Sequence, residues 1–251
     1  LLIGLSLLVI PKIFGCTGIT PNLTTTSTSA QCLRNNSFSF STINYGTAVG
    51  NRWNFGDGSA VVSGTKTPTH TYTAAGLFKV VETITNTAGC SDTISTYVRV
   101  YPQATRNIAF NTQRQCLKTN NFVFTNTSTV ASPGNMMKWA WDWGNTKTDT
   151  AKSPKHVYTT AGTYKVILTI TTANSCTDTI SKTIVVNPNA NVAFTINNAA
   201  QCFRGNSFTY TSTSTVTAGT LTNAWNYGDG GTGTGSPVTR AYAAAGSYKV
   251  L

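Results

Sequence analysis

Acidic residues are scarce in this chain: 7 Asp and Glu stand against 18 Lys and Arg, and only 10% of the 251 residues are charged. Carboxylates this sparse do not provide several calcium ligands from one loop. There is no Cys-x-x-Cys pair, and the two histidines, His70 and His156, follow prolines far in sequence from any cysteine, which argues against a zinc site. Gly-x-Ser-x-Gly, a metal-binding His pair and a phosphate loop are all missing. No catalytic residue, metal or cofactor is therefore expected, and the chain reads as non-enzymatic. Helical periodicity is missing too, so the units are read as strands. The +11 net charge is not gathered into a dense Lys/Arg cluster, so no specific nucleic-acid site is indicated. A diffuse positive surface can still attract acidic polysaccharide.

What is present is a set of spacings that recurs three times. Trp53-Asn54-Phe55-Gly56-Asp57-Gly58, Tyr72 and Gly76 form the first copy. Trp141-Asp142-Trp143-Gly144-Asn145, Tyr158 and Gly162 form the second, and Trp225-Asn226-Tyr227-Gly228-Asp229-Gly230, Tyr242 and Gly246 the third. Tyr to Gly is four residues in every copy. Such regularity across variable sequence marks one supersecondary unit in tandem. Apolar residues alternate at period two, as in Phe38/Phe40, Phe122/Phe124 and Phe208/Tyr210, so each unit is expected to be a β-sandwich with these residues inward. The expected divisions are 31–103, 104–188 and 189–251, the last incomplete because its closing strand is not reached. Glu82 falls on the inward phase of its strand, where the second copy has Leu168. A basic partner, a bulge or solvent access is expected to relieve it.

Six cysteines place the chain in an oxidising compartment. Cys32 and Cys90 occupy the same places in copy one as Cys116 and Cys176 in copy two, and the expected disulfides are Cys32–Cys90 and Cys116–Cys176, leaving Cys202 without its partner. Each would close a loop of roughly 60 residues, worth about 4 kcal/mol in the chain-entropy model. Arg34 with Asp92, and Lys118 with Asp178, lie two residues past these cysteines and are expected to form ion pairs beside them.

Residues 1–15 hold an apolar run of signal-peptide length, too short to cross a bilayer, whose basic leading region would lie before Leu1. Ile13-Phe14-Gly15-Cys16 resembles a lipoprotein box, which makes Cys16 a candidate for lipidation and for weak membrane anchoring. Residues 16–30 are Thr/Ser-rich and are read as an exposed tether.

The Trp-to-Gly stretch at residues 53–58, Pro68-Thr69-His70-Thr71-Tyr72 and Gly76-Leu77-Phe78-Lys79-Val80 together resemble the PKD (polycystic kidney disease-type) domain. That resemblance implies an all-β fold of tandem immunoglobulin-like sandwiches. The added cysteines and the Gly-Cys-x-Asp-Thr ending look like PKD arrays of secreted or surface proteins of the Bacteroidota. Departures are Asn145-Thr146 in place of Asp-Gly, and Ala241 in place of the His before Tyr242. The family's role is adhesion or spacing outside the cell, or on the outer membrane if Cys16 is lipidated, with extracellular protein, polysaccharide and neighbouring PKD units as partners. Two alternatives are an accessory array of a secreted hydrolase and a module that binds acidic glycans. Trp139 is the candidate ligand contact, because Asn51 and Asn223 hold its place elsewhere, and an exposed Trp can stack on a sugar. Lys79, Lys165 and Lys249, each three residues after the unit's glycine, would carry one positive charge per step.

Overall fold

The computed structural model describes residues 22–43, 48–131 and 137–251. The signal-like segment 1–15 and Cys16 lie outside these residues. Apart from a single 3-10 turn at Leu117–Thr119, regular structure among the described residues is all strand.

In the first repeat the strands are β1 (Asn22–Thr25), β2 (Ala30–Cys32), β3 (Phe38–Ile43), β4 (Ala48–Asn54), β5 (Val62–Ser63), β6 (Thr69–His70), β7 (Gly76–Asn86) and β8 (Ser91–Tyr101). One sheet runs β1-β3-β6 and the other β2-β8-β7-β4-β5. Inward residues of both meet in one core: Leu23, Phe38 and Phe40 from the smaller sheet, and Trp53, Val80, Val98 and Val100 from the larger, with Phe55 and Tyr72. The exposure of β7 alternates along its length, as period-two burial requires. This is an immunoglobulin-like sandwich.

The tether reading of residues 16–30 fails from Asn22 onward. Those residues pair antiparallel with β3 over Asn22↔Ile43 to Thr25↔Phe40, and Leu23 is buried. One apolar side chain and a row of backbone bonds are enough to make a Thr-rich stretch an edge strand.

The second repeat repeats the plan, with sheets of Ile108–Phe110, Phe122–Asn126 and Lys155–His156, and of Arg114–Cys116, Thr177–Asn187, Gly162–Thr172, Met137–Asp142 and Thr148–Asp149. The third has the smaller sheet, Phe194–Ile196, Phe208–Ser212 and Val238–Arg240, and the hairpin of Ala224–Asn226 with Thr232–Thr234. Leu251 exchanges both backbone bonds with Asn226. The chain forms two compact units. One contains the described residues up to Ile108 with 126–140 and 168–180, and the other contains 109–125, 141–167 and 181–251.

Candidate functional site

The motif residues of each repeat converge on one end of its sandwich, where they form a pinned turn. Asn54, Asp142 and Asn226 each accept a bond from the N–H two residues on, at Gly56, Gly144 and Gly228. These glycines have φ near +75°, and a Cβ on Gly144 or Gly228 would lie 2.8 or 2.6 Å from the carbonyl oxygen of Lys165 or Lys249, with Gly56 crowded likewise by Lys79. Only glycine serves there. The lysine backbones thus close the turn, and their side chains are exposed.

Behind the turn, Tyr72, Tyr158 and Tyr242 donate their hydroxyls to the carbonyls of Phe55, Trp143 and Tyr227 at 2.8–2.9 Å. Burial pushes all three phenols well above the ordinary tyrosine range. The indoles of Trp53, Trp141 and Trp225 donate to the carbonyls of Thr65, Ala151 and Gly235. Gly76 and Gly162 open the long strands, and Gly246 stands at the same place in the third copy.

A side chain from the strand before each tyrosine holds the tip of the turn. His70 pairs with Asp57 at 2.7 Å while stacked on Phe55, and His156 contacts Asn145 at 3.2 Å while stacked on Trp143. In the third copy Arg240 grips Asp229 with two nitrogens at 3.0 and 2.6 Å and lies over the Tyr227 ring. Strand register decides the equivalence, since Phe38 faces His70, Phe122 faces His156 and Phe208 faces Arg240. Arg240, not Ala241, is therefore the residue standing for His. Partial burial pushes the Asp57 carboxyl up, but hydrogen bonds from Ser59 and His70 outweigh it and hold its pKa at about 2. Burial, with Lys147 nearby, lowers the His156 pKa. The Arg240 hydrogen bonds hold Asp229 below the usual carboxylate range.

An asparagine that the sequence reading passed over matters as much as the aromatics. The Asn36 amide donates to the carbonyls of Leu33 and Tyr72 and accepts from the Tyr72 N–H, at 2.7–2.8 Å. Asn120 and Asn206 do the same for Leu117 with Tyr158 and for Phe203 with Tyr242. A signal was available: each lies four residues after the leading cysteine of its repeat.

The expected disulfides are replaced by a different one. Cys32 bonds Cys176, 144 residues on, with the Cα atoms 5.6 Å apart, while Cys116 and Cys202 are free and exposed. Cys90 is itself disulfide-bonded, but not to Cys32. The reason lies in strand direction: β2 runs parallel to β8, which sets Cys32 beside Tyr101, at the far end of an 11-residue strand from Cys90. At about 3.3 Å per residue the two sulfurs stand more than 30 Å apart, beyond any disulfide. Cys116 is likewise paired with Asn187, at the opposite end of the strand that follows Cys176.

The charges follow the same crossing. Arg34 meets Asp178 at 3.0 Å rather than Asp92, and Arg106 reaches the same carboxylate at 3.3 Å and the Thr179 carbonyl at 2.8 Å. The Asp178 side chain is 1% exposed, so two guanidinium groups compensate a carboxylate that could not be buried alone. Lys118 makes no ion pair to Asp178; its N–H bonds Asn189.

Among the described residues Glu82 has none of the three expected reliefs. It is fully buried between Trp53 and Ile94 in regular register, and the Thr42 hydroxyl donates to its Oε2 while Oε1 has no hydrogen-bond partner. Burial raises its pKa above 4.5, with Thr42 and the Asn51 amide acting against the rise. Trp139 is half-buried, and its indole N–H has no acceptor. Among the described residues no group of three or more His, Cys, Asp or Glu is placed to hold a metal, and no helix is long and apolar enough to cross a membrane.

The pre-pro-metalloprotease PrtV of Vibrio cholerae is 36% identical over 94 residues, which are 37% of this chain and 10% of the relative, so the chain spans about a tenth of that protein's length. The crystal structure of the PKD1 domain of PrtV is 30% identical, with a TM-score of 0.29, over 34% of this chain and 96% of that domain. A Ca2+-stabilized adhesin with which an Antarctic bacterium binds ice is 13% identical, with a TM-score of 0.36, over 88% of this chain and 64% of that structure. The PKD domain model itself matches residues 20–100, 104–187 and 185–251. Three successive matches account for nearly all the described residues, and the chain belongs to the PKD domain family.

Proposed function

We propose that the chain is a non-catalytic spacer and adhesion array of a secreted or cell-surface protein, of the Bacteroidota type, with extracellular protein or polysaccharide as its partner. The observation that carries this reading is the use of the motif groups. Asp57, His70, Asp229, Arg240 and the three tyrosines bind one another or backbone, leaving no free acid–base pair among them. A disulfide that closes a 144-residue loop, worth about 5 kcal/mol in the chain-entropy model, supports an oxidising location. In the parent protein, replacing residues 31–251 by three unrelated immunoglobulin-like domains should preserve attachment if spacing is the role. Attachment lost on that exchange but retained with the native array would place the adhesive contacts in the array. Turnover of peptide, ester or glycoside substrates by the purified chain would overturn the reading.

A second reading is an accessory array of a secreted hydrolase, supported by the match to a metalloprotease whose length lies mostly outside the shared segment. A catalytic domain in the parent protein decides for it. Binding of acidic glycans draws support from the exposed side chains of Lys79, Lys165 and Lys249 and from half-buried Trp139. It predicts a salt-sensitive glycan-array signal that falls in Trp139→Ala, and a blank array at low salt rules it out.

A further inference from the structure

We propose that the Cys32–Cys176 junction is a mechanical bypass, which routes tension around most of the first two sandwiches. Chain connectivity carries the argument. The two sulfurs join points 144 residues apart in sequence whose Cα atoms are 5.6 Å apart in space. Chain pulled from outside these points meets the covalent bridge before it can extend anything between them. The bypassed stretch includes β3 to β8 of the first repeat and the second repeat through its strand Gly162–Thr172. Only β1 and β2 on one side, and Thr177–Asn187 on the other, stay in the line of force within these two sandwiches.

A second rung aligns the first. Arg34 lies two residues beyond Cys32 and Asp178 two beyond Cys176, and they meet at 3.0 Å, with Arg106 on the same buried carboxylate. The ion cluster holds the two segments in the register that keeps the sulfurs together. Nothing in this role calls on a ligand, so it stands or falls apart from the adhesive reading.

The test is single-molecule extension of the full chain, with click handles placed at exposed Thr28 and Lys182. In the oxidised protein only ten residues of chain lie in series with the bridge, four before Cys32 and six after Cys176. That limits the stretch between handles to roughly 40 Å at about 3.3–3.6 Å per residue. Adding dithiothreitol to the same tethered molecule breaks the S–S bond to two thiols, the reductant closing to its cyclic disulfide. The expected result is a further extension of roughly 480–520 Å as the 144 bypassed steps pay out. Release of that length before reduction would overturn the proposal, as would no added extension after it. A chain carrying Cys32→Ser, Cys176→Ser and Cys90→Ser should give the long extension without reductant. If that variant fails to fold, reduction of the already folded parent molecule still decides.

Discussion

The inward column of β7 in the first repeat carries Val80, Glu82 and Ile84, and the same column in the second carries Val166, Leu168 and Ile170, all fully buried. Five of these six are what a sandwich core selects, and one is a carboxyl group supported by the Thr42 hydroxyl and the Asn51 amide. The scaffold around them is otherwise the same in both repeats, down to the tyrosine, asparagine and tryptophan hydrogen bonds. The sandwich thus tolerates a polar lesion in one repeat because the rest of the core and its buried clamps stabilise it by more than the lesion costs. A like contrast separates the turn tips, where His70 meets the carboxylate of Asp57 and His156 the amide of Asn145.

Transplanting the lesion is the harshest way to break this comparison. Leu168→Glu should destabilise the second repeat by about 3 kcal/mol at pH 7, because it puts a carboxylate between fully buried Val166 and Ile170. Hydrogen exchange of Gly162–Thr172 reports it, and a loss below about 1 kcal/mol would show that the site tolerates carboxylates generally. Next in size, Asn36→Ala and Asn120→Ala should each cost about 2–3 kcal/mol by leaving several buried backbone groups unpaired. The two losses should agree closely, and a large inequality would mean the repeats do not share one scaffold.

Glu82→Gln should reverse the lesion, with a gain of about 1 kcal/mol at pH 8. The sign follows from the raised pKa: folding favours the protonated acid, so Glu82 does least harm below its ordinary 4.5 and most as pH rises through the folded value. The gain seen by denaturant unfolding should therefore vanish below about pH 4, and a pH-independent gain would assign it to packing.

The smallest effect concerns the turn tips. Asp57 has a folded pKa of about 2, so its contribution is present above 3.8 and lost as pH falls toward 2, and Asp57→Asn should cost no more than about 1 kcal/mol at pH 7. His156, lowered by burial, favours the neutral form, so the second repeat should lose stability as pH falls below 6.5 while the first does not lose it through Asp57. Asn145→Asp should remove that difference. Repeat-resolved hydrogen exchange at pH 5 and 7 measures it.

The sandwiches were readable because burial at period two and the Trp, Tyr and Gly spacings are properties of single strands and turns, which local sequence controls. Asn36 was missed because an asparagine between a cysteine and an aromatic strand looks like a loop residue; its recurrence four residues after each leading cysteine marks the place, and its tertiary partners show it to be a core clamp. The disulfide and the Arg34–Asp178 pair were misassigned for one common reason. Matched positions in successive repeats do not say whether partners lie in the same copy or the next, and the parallel docking of β2 on β8 decides that. Arg240 was overlooked because the residue directly before Tyr242 was taken for the His position, whereas His70 and His156 lie two residues before their tyrosines, as Arg240 does, and the strand register agrees.

The bond from Cys32 to Cys176 also sets an order of events during biosynthesis. At about 5–20 residues per second, Cys32 waits roughly 7–29 s as a thiol before its partner is made, and Cys90 is made well before that partner. Premature oxidation would join the wrong neighbours unless β2 had already settled along β8, where Cys90 is out of reach. The nascent first sandwich thus chaperones its own thiol, and geometry rather than proximity along the polypeptide selects the correct mate.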